Sequence, residues 1–305
     1  MERNACLMSS LALGLILVSV CLHAGWNLLG KGRAPSLAFF MLAMGSGALI
    51  FAPLLALGPA FNELPDEFWG WLVATGLCQA LYMGGLAWAY ARGEVSVLYP
   101  IARALPVVLV PLVSLSLLDS QALTVSDFTG MGLIVLGALM LPLSSPQGLR
   151  ARTYLTPALG FALLAALGTT GYSLIDKQAL DIMLSVGYSP TSAGAVFLVL
   201  QAMMTVAWGA PLVMLLPTER RRLPMLWRGE RGSMLLTGVM VMATYGLVLI
   251  AMTLTEEVSL VVAMRQLSIP LGVVLGVVWL RERAAMVKWV GIGVMLAGLW
   301  TVALV

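Results

Sequence analysis

The sequence predicts an all-α integral membrane protein of ten transmembrane helices, built as two inverted five-helix repeats around a central cavity. Three observations predict it. The 305 residues are 60% hydrophobic and only 10% charged, with a mean hydropathy of +0.98, whereas a soluble domain carries about a quarter charged residues. Apolar runs of about 20 residues recur along the whole chain, each long enough to cross a hydrocarbon core about 30 Å thick. The second half of the chain also repeats features of the first at nearly constant spacing.

The runs must be helical, because lipid cannot satisfy free backbone N–H and C=O groups. Alternation over segments of about ten residues, the mark of a membrane β-barrel, is missing. The predicted spans are 6–30, 36–57, 68–91, 95–118, 125–143, 154–179, 190–216, 232–254, 258–280 and 284–304. Breaks fall at Gly58-Pro59, Asn62 to Asp66, Ser144 to Gln147, Ser189-Pro190 and Pro217, residues that punctuate chains. Cys6, Cys21 and Cys78 lie in or beside apolar runs and read as small packing residues, with no metal or cofactor called for. Arg3 followed by an apolar stretch resembles a leader peptide. Val20 before Cys21 is poor for a lipoprotein site, and the segment has a counterpart later in the chain. The expectation is a retained first helix.

The repeat carries the topology. At a shift of 162, Gly70, Thr75, Gly76, Gly84, Arg103, Leu105, Leu109 and Leu118 land on Gly232, Thr237, Gly238, Gly246, Arg265, Leu267, Leu271 and Leu280. At 161, Gly130, Gly132 and Gly137 land on Gly291, Gly293 and Gly298. At 146, the stretch Gly25 to Lys31 meets Gly171 to Lys177. The second helix of each half is too featureless to align. Five helices is an odd number, so sequential halves, 1–147 and 148–305, must enter the membrane from opposite sides. Charge agrees: Gly58 to Glu67 has no Lys or Arg, while its counterpart carries Arg220, Arg221, Arg222, Arg228 and Arg231.

The first half carries His23-Ala24-Gly25-Trp26-Asn27 in the first span, Gly93-Glu94-Val95-Ser96 into the fourth and Gly130-Met131-Gly132 in the fifth, and the second half carries Glu257-Val258-Ser259-Leu260, Leu280-Arg281-Glu282-Arg283 and Gly291-Ile292-Gly293. In this order the chain resembles the EamA type of the drug/metabolite transporter superfamily over essentially its full length. The resemblance implies a basket of two inverted five-helix bundles with a central cavity. It implies a substrate drawn from amino acids, nucleotide sugars, phosphorylated sugars or drugs, without naming which.

Enzyme chemistry lacks its parts: one histidine, no HExxH, no GxSxG, no GxGD pair and no Walker A. The sharpest signals are Arg103 and Arg265, each about eight residues inside its span and so roughly 12 Å deep. An arginine there costs at least ~2.5–3.5 kcal/mol, so it faces a cavity or a partner. One reading is that each holds unwound carbonyls or a buried acid. The other is that they grip the anionic end of a substrate from opposite halves, a task that suits the planar guanidinium fork. His23, Asn27 and Lys31 fall on one stripe of the first helix, flanked by Trp26 and Gly30. The stripe is either a satisfied polar seam with Lys31 at the interface, or a cavity wall on which His23 titrates near neutral pH and couples protons. Asp176 and Lys177 read as a local ion pair near the end of the sixth helix. Tyr99, Gln79, Tyr82, Tyr245 and Gln266 complete the polar inventory, as substrate contacts or interhelical hydrogen bonds. Glu94 and Glu257 read as charges at helix N-termini, and the nineteen methionines as adaptable packing.

The expected function is secondary transport of a small organic anion or zwitterion (amino-acid-like, phosphorylated or phosphonate) across a plasma or inner membrane. Export of lipophilic cations is the alternative within transport, but it wants a membrane-embedded acid where the first helix offers His23 and Asn27. A non-transporting scaffold or lipid-handling component is the alternative from another class. The expected partners are the substrate, lipids and, on the cavity-wall reading of His23, coupled protons, with a homodimer left open and no nucleic acid. Helices 1, 3, 4, 6, 8 and 9 are expected to line the cavity, and helices 5 and 10 to pack peripherally through glycines. Lys31, Arg33, Arg92, Arg150, Arg152, the arginines of 220–231, Arg281, Arg283 and Lys288 fall on one side. The positive-inside rule therefore places both termini outside; the family resemblance implies cytoplasmic termini.

Overall fold

A computed structural model of the chain describes residues 9–29, 36–59, 61–93, 95–117, 124–143, 155–279, 281 and 285–303. Every regular element among them is helical: α1 (Ser10–Leu29), α2 (Leu37–Phe51), α3 (Asp66–Tyr90), α4 (Val95–Leu117), α5 (Val125–Met140), α6 (Leu159–Ser185), α7 (Pro190–Leu215), α8 (Pro217–Arg220), α9 (Leu223–Gly229), α10 (Arg231–Thr253), α11 (Val258–Met264), α12 (Ser268–Trp279) and α13 (Met286–Ala303). A 3-10 segment, Ala52–Leu57, extends α2, and a 3-10 turn, Arg265–Leu267, joins α11 to α12. Among the described residues, seven helical stretches are long and apolar enough to cross a membrane: Leu37–Leu57, Asp66–Tyr90, Leu98–Ser116, Leu159–Ser185, Pro190–Leu215, Arg231–Thr253 and Val258–Val278. The first, fifth and tenth predicted spans carry shorter apolar helices, Ser10–Gly25, Val125–Met140 and Met286–Val302.

The distribution of polarity is that of a membrane protein. Leu17, Leu49, Leu112, Leu136, Leu167, Leu215 and Trp300 lie exposed on the outside of the bundle, while Thr75, Gln79, Arg103, Ser173, Asp176 and Gln201 are buried within it. Water would reverse that arrangement; a hydrocarbon solvent favours it.

Local chemistry sets where the helices start and bend. The Ser36 hydroxyl accepts from Phe39 N–H at the start of α2, and Ser189 with Pro190 opens α7 in the same way. Thr124 and Asp127 form a reciprocal capping box on α5. Glu219, the buried acid of the basic segment, accepts from Ala38 N–H at 3.0 Å and so ties α8 to the first turn of α2. Glu257 occupies the N-cap position of α11 without a capping hydrogen bond from its side chain; Glu94 lies outside the described residues. Pro100, Pro106 and Pro111 interrupt α4, and each removes one backbone donor from the ladder. Pro270 does the same just after the Arg265–Leu267 turn. Arg103 and Arg265 therefore both sit on proline-loosened helix.

Glycines let the helices approach closely. Built-on β-carbons at Gly130 and Gly298 would lie 2.8 and 2.5 Å from each other's backbone carbonyls, and Gly137 meets Gly291 likewise, so α5 and α13 pack antiparallel as expected. Gly132 and Gly293 point away into open space. The same device holds α3 against α6, where a β-carbon on Gly168 would come within 2.7 Å of the Cys78 carbonyl and the Tyr82 amide. Backbone cannot give way there. Gly168→Leu is expected to lower the melting temperature of the detergent-solubilised protein, an overpacking cost of about 1–3 kcal/mol. Gly160→Leu, whose β-carbon meets open space, is the control and should leave it unchanged.

Candidate functional site

A partly open cavity in the bundle is lined by residues of α1, α2, α3, α4, α6, α10 and the turn after α11. The expected lining helices are all present; the difference is α2, which contributes Phe40, Ala43 and Met44.

Six of the ten candidate residues meet at this cavity: His23, Gln79, Tyr82, Arg103, Tyr245 and Arg265. Tyr99 stands behind the wall, its hydroxyl 3.3 Å from His23 Nε2. Gln266 does not line the cavity. Its amide donates to the Val262 carbonyl of its own helix at 2.9 Å, a local bond that satisfies half of the group without a ligand. Trp26 and Asn27 belong to α1, but their side chains lie outside the described residues, as does Lys31.

The two arginines are joined through one hydroxyl. Arg103 Nη2 donates to Ser268 Oγ at 3.3 Å, and Ser268 in turn donates to the Arg265 carbonyl at 2.8 Å. Arg103 is 4% exposed, and its Nε has no hydrogen-bond partner. The Arg265 guanidinium lies over the Tyr245 ring, 5.2 Å from its centroid. Among the described residues neither arginine has a carboxylate within ion-pair distance. A desolvated cation with an open donor is costly unless something completes it. Gln79 Oε1 and Thr244 Oγ1, both on lining residues, are likewise buried without partners. The cavity thus offers guanidinium donors for an anionic group, and neutral oxygens suited to an ammonium or hydroxyl.

Aromatic rings close one end. Tyr82 and Tyr172 meet edge to face at 5.8 Å, and Tyr172 and Tyr245 at 5.7 Å with perpendicular planes. One turn along α6 from Tyr172, on the same face, is Asp176, fully buried. It is no interfacial ion pair, which corrects the sequence reading. Lys177 pairs instead with Asp181 at 2.7 Å. Gln201 Nε2 donates to both Asp176 oxygens, at 2.8 and 2.7 Å, while the Thr75 and Tyr245 hydroxyls donate one bond each. The error came from the helix boundary. The helix runs to Ser185, six residues beyond the expected end, or roughly 9 Å, so Asp176 sits deep in the bundle.

Tyr172, Thr237, Thr244, Thr75 and Gln201 are polar residues to which sequence reading gave no role. Tyr172 carried a signal, since the repeat sets it opposite Trp26.

No family model matches the chain, and no curated protein does. A solved structure described only as "Crystal structure of protein" is similar to it, with a TM-score of 0.66 at 17% identity, covering 97% of this chain and 98% of that one. That likeness concerns the fold alone.

Proposed function

We propose that the chain is a multi-pass secondary transporter of the EamA type, crossing the membrane ten times as two inverted five-helix repeats. Its cargo is a small organic anion or zwitterion, amino-acid-like, phosphorylated or phosphonate, carried by alternating access. The observation that supports this best is a pair of arginines, distant in sequence and without a carboxylate partner among the described residues, that reach one aromatic-lined cavity inside an apolar bundle. Arg103 and Arg265 hold the anionic end of the substrate, His23 and Gln79 contact its other polar groups, and the tyrosines exclude water. The proline-loosened stretches of α4 and of the α11–α12 turn are where a change of access is most easily absorbed.

A second reading, export of lipophilic cations, draws on one observation, the membrane-embedded carboxylate of Asp176. The tyrosine layer separates that carboxylate from the cavity, where a cation would meet two arginines instead. Thermal stabilisation of the purified protein by size-matched metabolites separates the two. Anions or zwitterions should raise the melting temperature, by an amount equivalent to about 2.7 kcal/mol at a hundredfold excess over Kd. Stabilisation by cations alone would transfer the assignment to drug export.

The charge bias places the termini outside and the arginine-rich segment in the cytoplasm. A C-terminal reporter active only in the cytoplasm should stay dark; a bright signal reverses the orientation.

A further inference from the structure

We propose that Asp176 is the proton-coupling site of this protein: it serves as the counter-anion of the empty arginine cavity and takes up a proton when an anionic substrate replaces it electrostatically. The inference rests on the anion-binding reading of the cavity and adds the coupling ion and its residue.

Geometry carries it. Asp176 is fully buried and has no cation in ion-pair contact among the described residues. The charged and titratable groups that face it can be named. Cys78 faces it from α3, Tyr245 from α10, and Arg265 from the turn after α11. Arg103 of α4 stands across the cavity, Tyr172 lies on its own helix, and α7 contributes only the neutral Gln201. Lys177, its neighbour in sequence, is engaged with Asp181. The nearest unneutralised positive charge is therefore that of the cavity arginines, reached through a single side chain. Tyr245 places its ring under Arg265 and its hydroxyl on Asp176.

All four bonds to the carboxylate come from three groups that can reverse or rotate. Thr75 and Tyr245 hydroxyls both donate and accept, and an amide presents either end. The cluster can thus hold a carboxylate or a carboxylic acid with the heavy atoms in place. In the empty protein the Arg265 guanidinium, reached through Tyr245, favours the carboxylate. An anion between the arginines cancels that field, leaves Asp176 an uncompensated buried charge, and favours its protonation. No bond beyond one O–H forms, and the proton comes from water on the open side.

Linkage fixes the sign. If anion binding favours protonated Asp176, raising the pH must weaken anion binding, by up to about tenfold per pH unit within the titration window. Sulfate is the probe, since it does not titrate between pH 5 and 8 itself. Its affinity for the detergent-solubilised protein is measured across that range at constant ionic strength, together with proton uptake in weakly buffered solution. The parent should take up about one proton per sulfate at most, with affinity falling as pH rises. Asp176→Asn, which keeps the shape and hydrogen bonding, should bind sulfate with no proton uptake and no pH slope. Tyr245→Phe removes one donor from the carboxylate and should move the slope to higher pH, which tests the link should the Asn variant fold poorly. Sulfate binding with the same slope in the parent and Asp176→Asn, or an unmoved slope in Tyr245→Phe, overturns the coupling alone and assigns the proton elsewhere, His23 first. Failure of sulfate to bind the parent at any pH overturns the anion reading, and the coupling with it.

Discussion

Arg265→Gln is expected to weaken binding of an anionic ligand by about 1.5–3 kcal/mol, roughly 10- to 150-fold, while leaving the melting temperature within experimental scatter. The two halves of that result have separate causes. A charge-assisted bond in a water-excluded cavity outweighs one at a wet surface. The fold loses little, because the Arg265 guanidinium rests on the Tyr245 ring and holds no carboxylate among the described residues. Arg103→Gln should cost a similar factor in binding with a small loss of stability, since Arg103 also donates to Ser268. Lysine at either position keeps the charge and loses the planar fork, so it should fall between parent and Gln. Affinity and melting temperature measured on the same purified variants decide the matter. If both Gln variants lose stability while the folded fraction binds normally, the arginines only hold helices together.

Gln201→Leu should be among the most destabilising single changes in the bundle, costing about 3 kcal/mol or more. Its amide supplies two of the four hydrogen bonds to Asp176, each to a charged oxygen at 2.7–2.8 Å. Leucine fills similar space and supplies neither, so the carboxylate stays buried with half its donors. Asp176→Asn in the same background should recover part of the loss, because a neutral amide needs fewer donors, and the pair should be strongly non-additive. Thermal unfolding of the single and double variants measures this. Equal, additive losses would mean that Gln201 and Asp176 act independently.

Much of the site was legible because lipid makes polar residues conspicuous. Arg103 and Arg265 stood out by their depth, and His23, Gln79, Tyr82 and Tyr245 by polarity inside apolar runs; all six line the cavity. The same logic overreached at Gln266, which spends its donor on the carbonyl four residues back. Sequence polarity cannot reveal such a local bond. The α2 wall was illegible for the opposite reason: Phe40, Ala43 and Met44 look like any other apolar side chains. Asp176 was misjudged because its depth depends on where α6 ends, and apolar residues continue past the expected stop to Ser185. The glycine spacing on α5 and α13 was read correctly as a packing face, although only Gly130, Gly137, Gly291 and Gly298 make the close approach.

Transport itself is the central claim, and flux in proteoliposomes tests it most directly. The anion that most stabilises the purified protein is radiolabelled and presented to vesicles holding the parent, Arg265→Gln, or no protein. The expected result is saturable uptake by the parent, competed by the unlabelled anion and lost in Arg265→Gln at equal reconstitution. Uptake by the parent no faster than by protein-free vesicles, with the anion still bound, would contradict it and leave a binding protein of the membrane in place of a carrier.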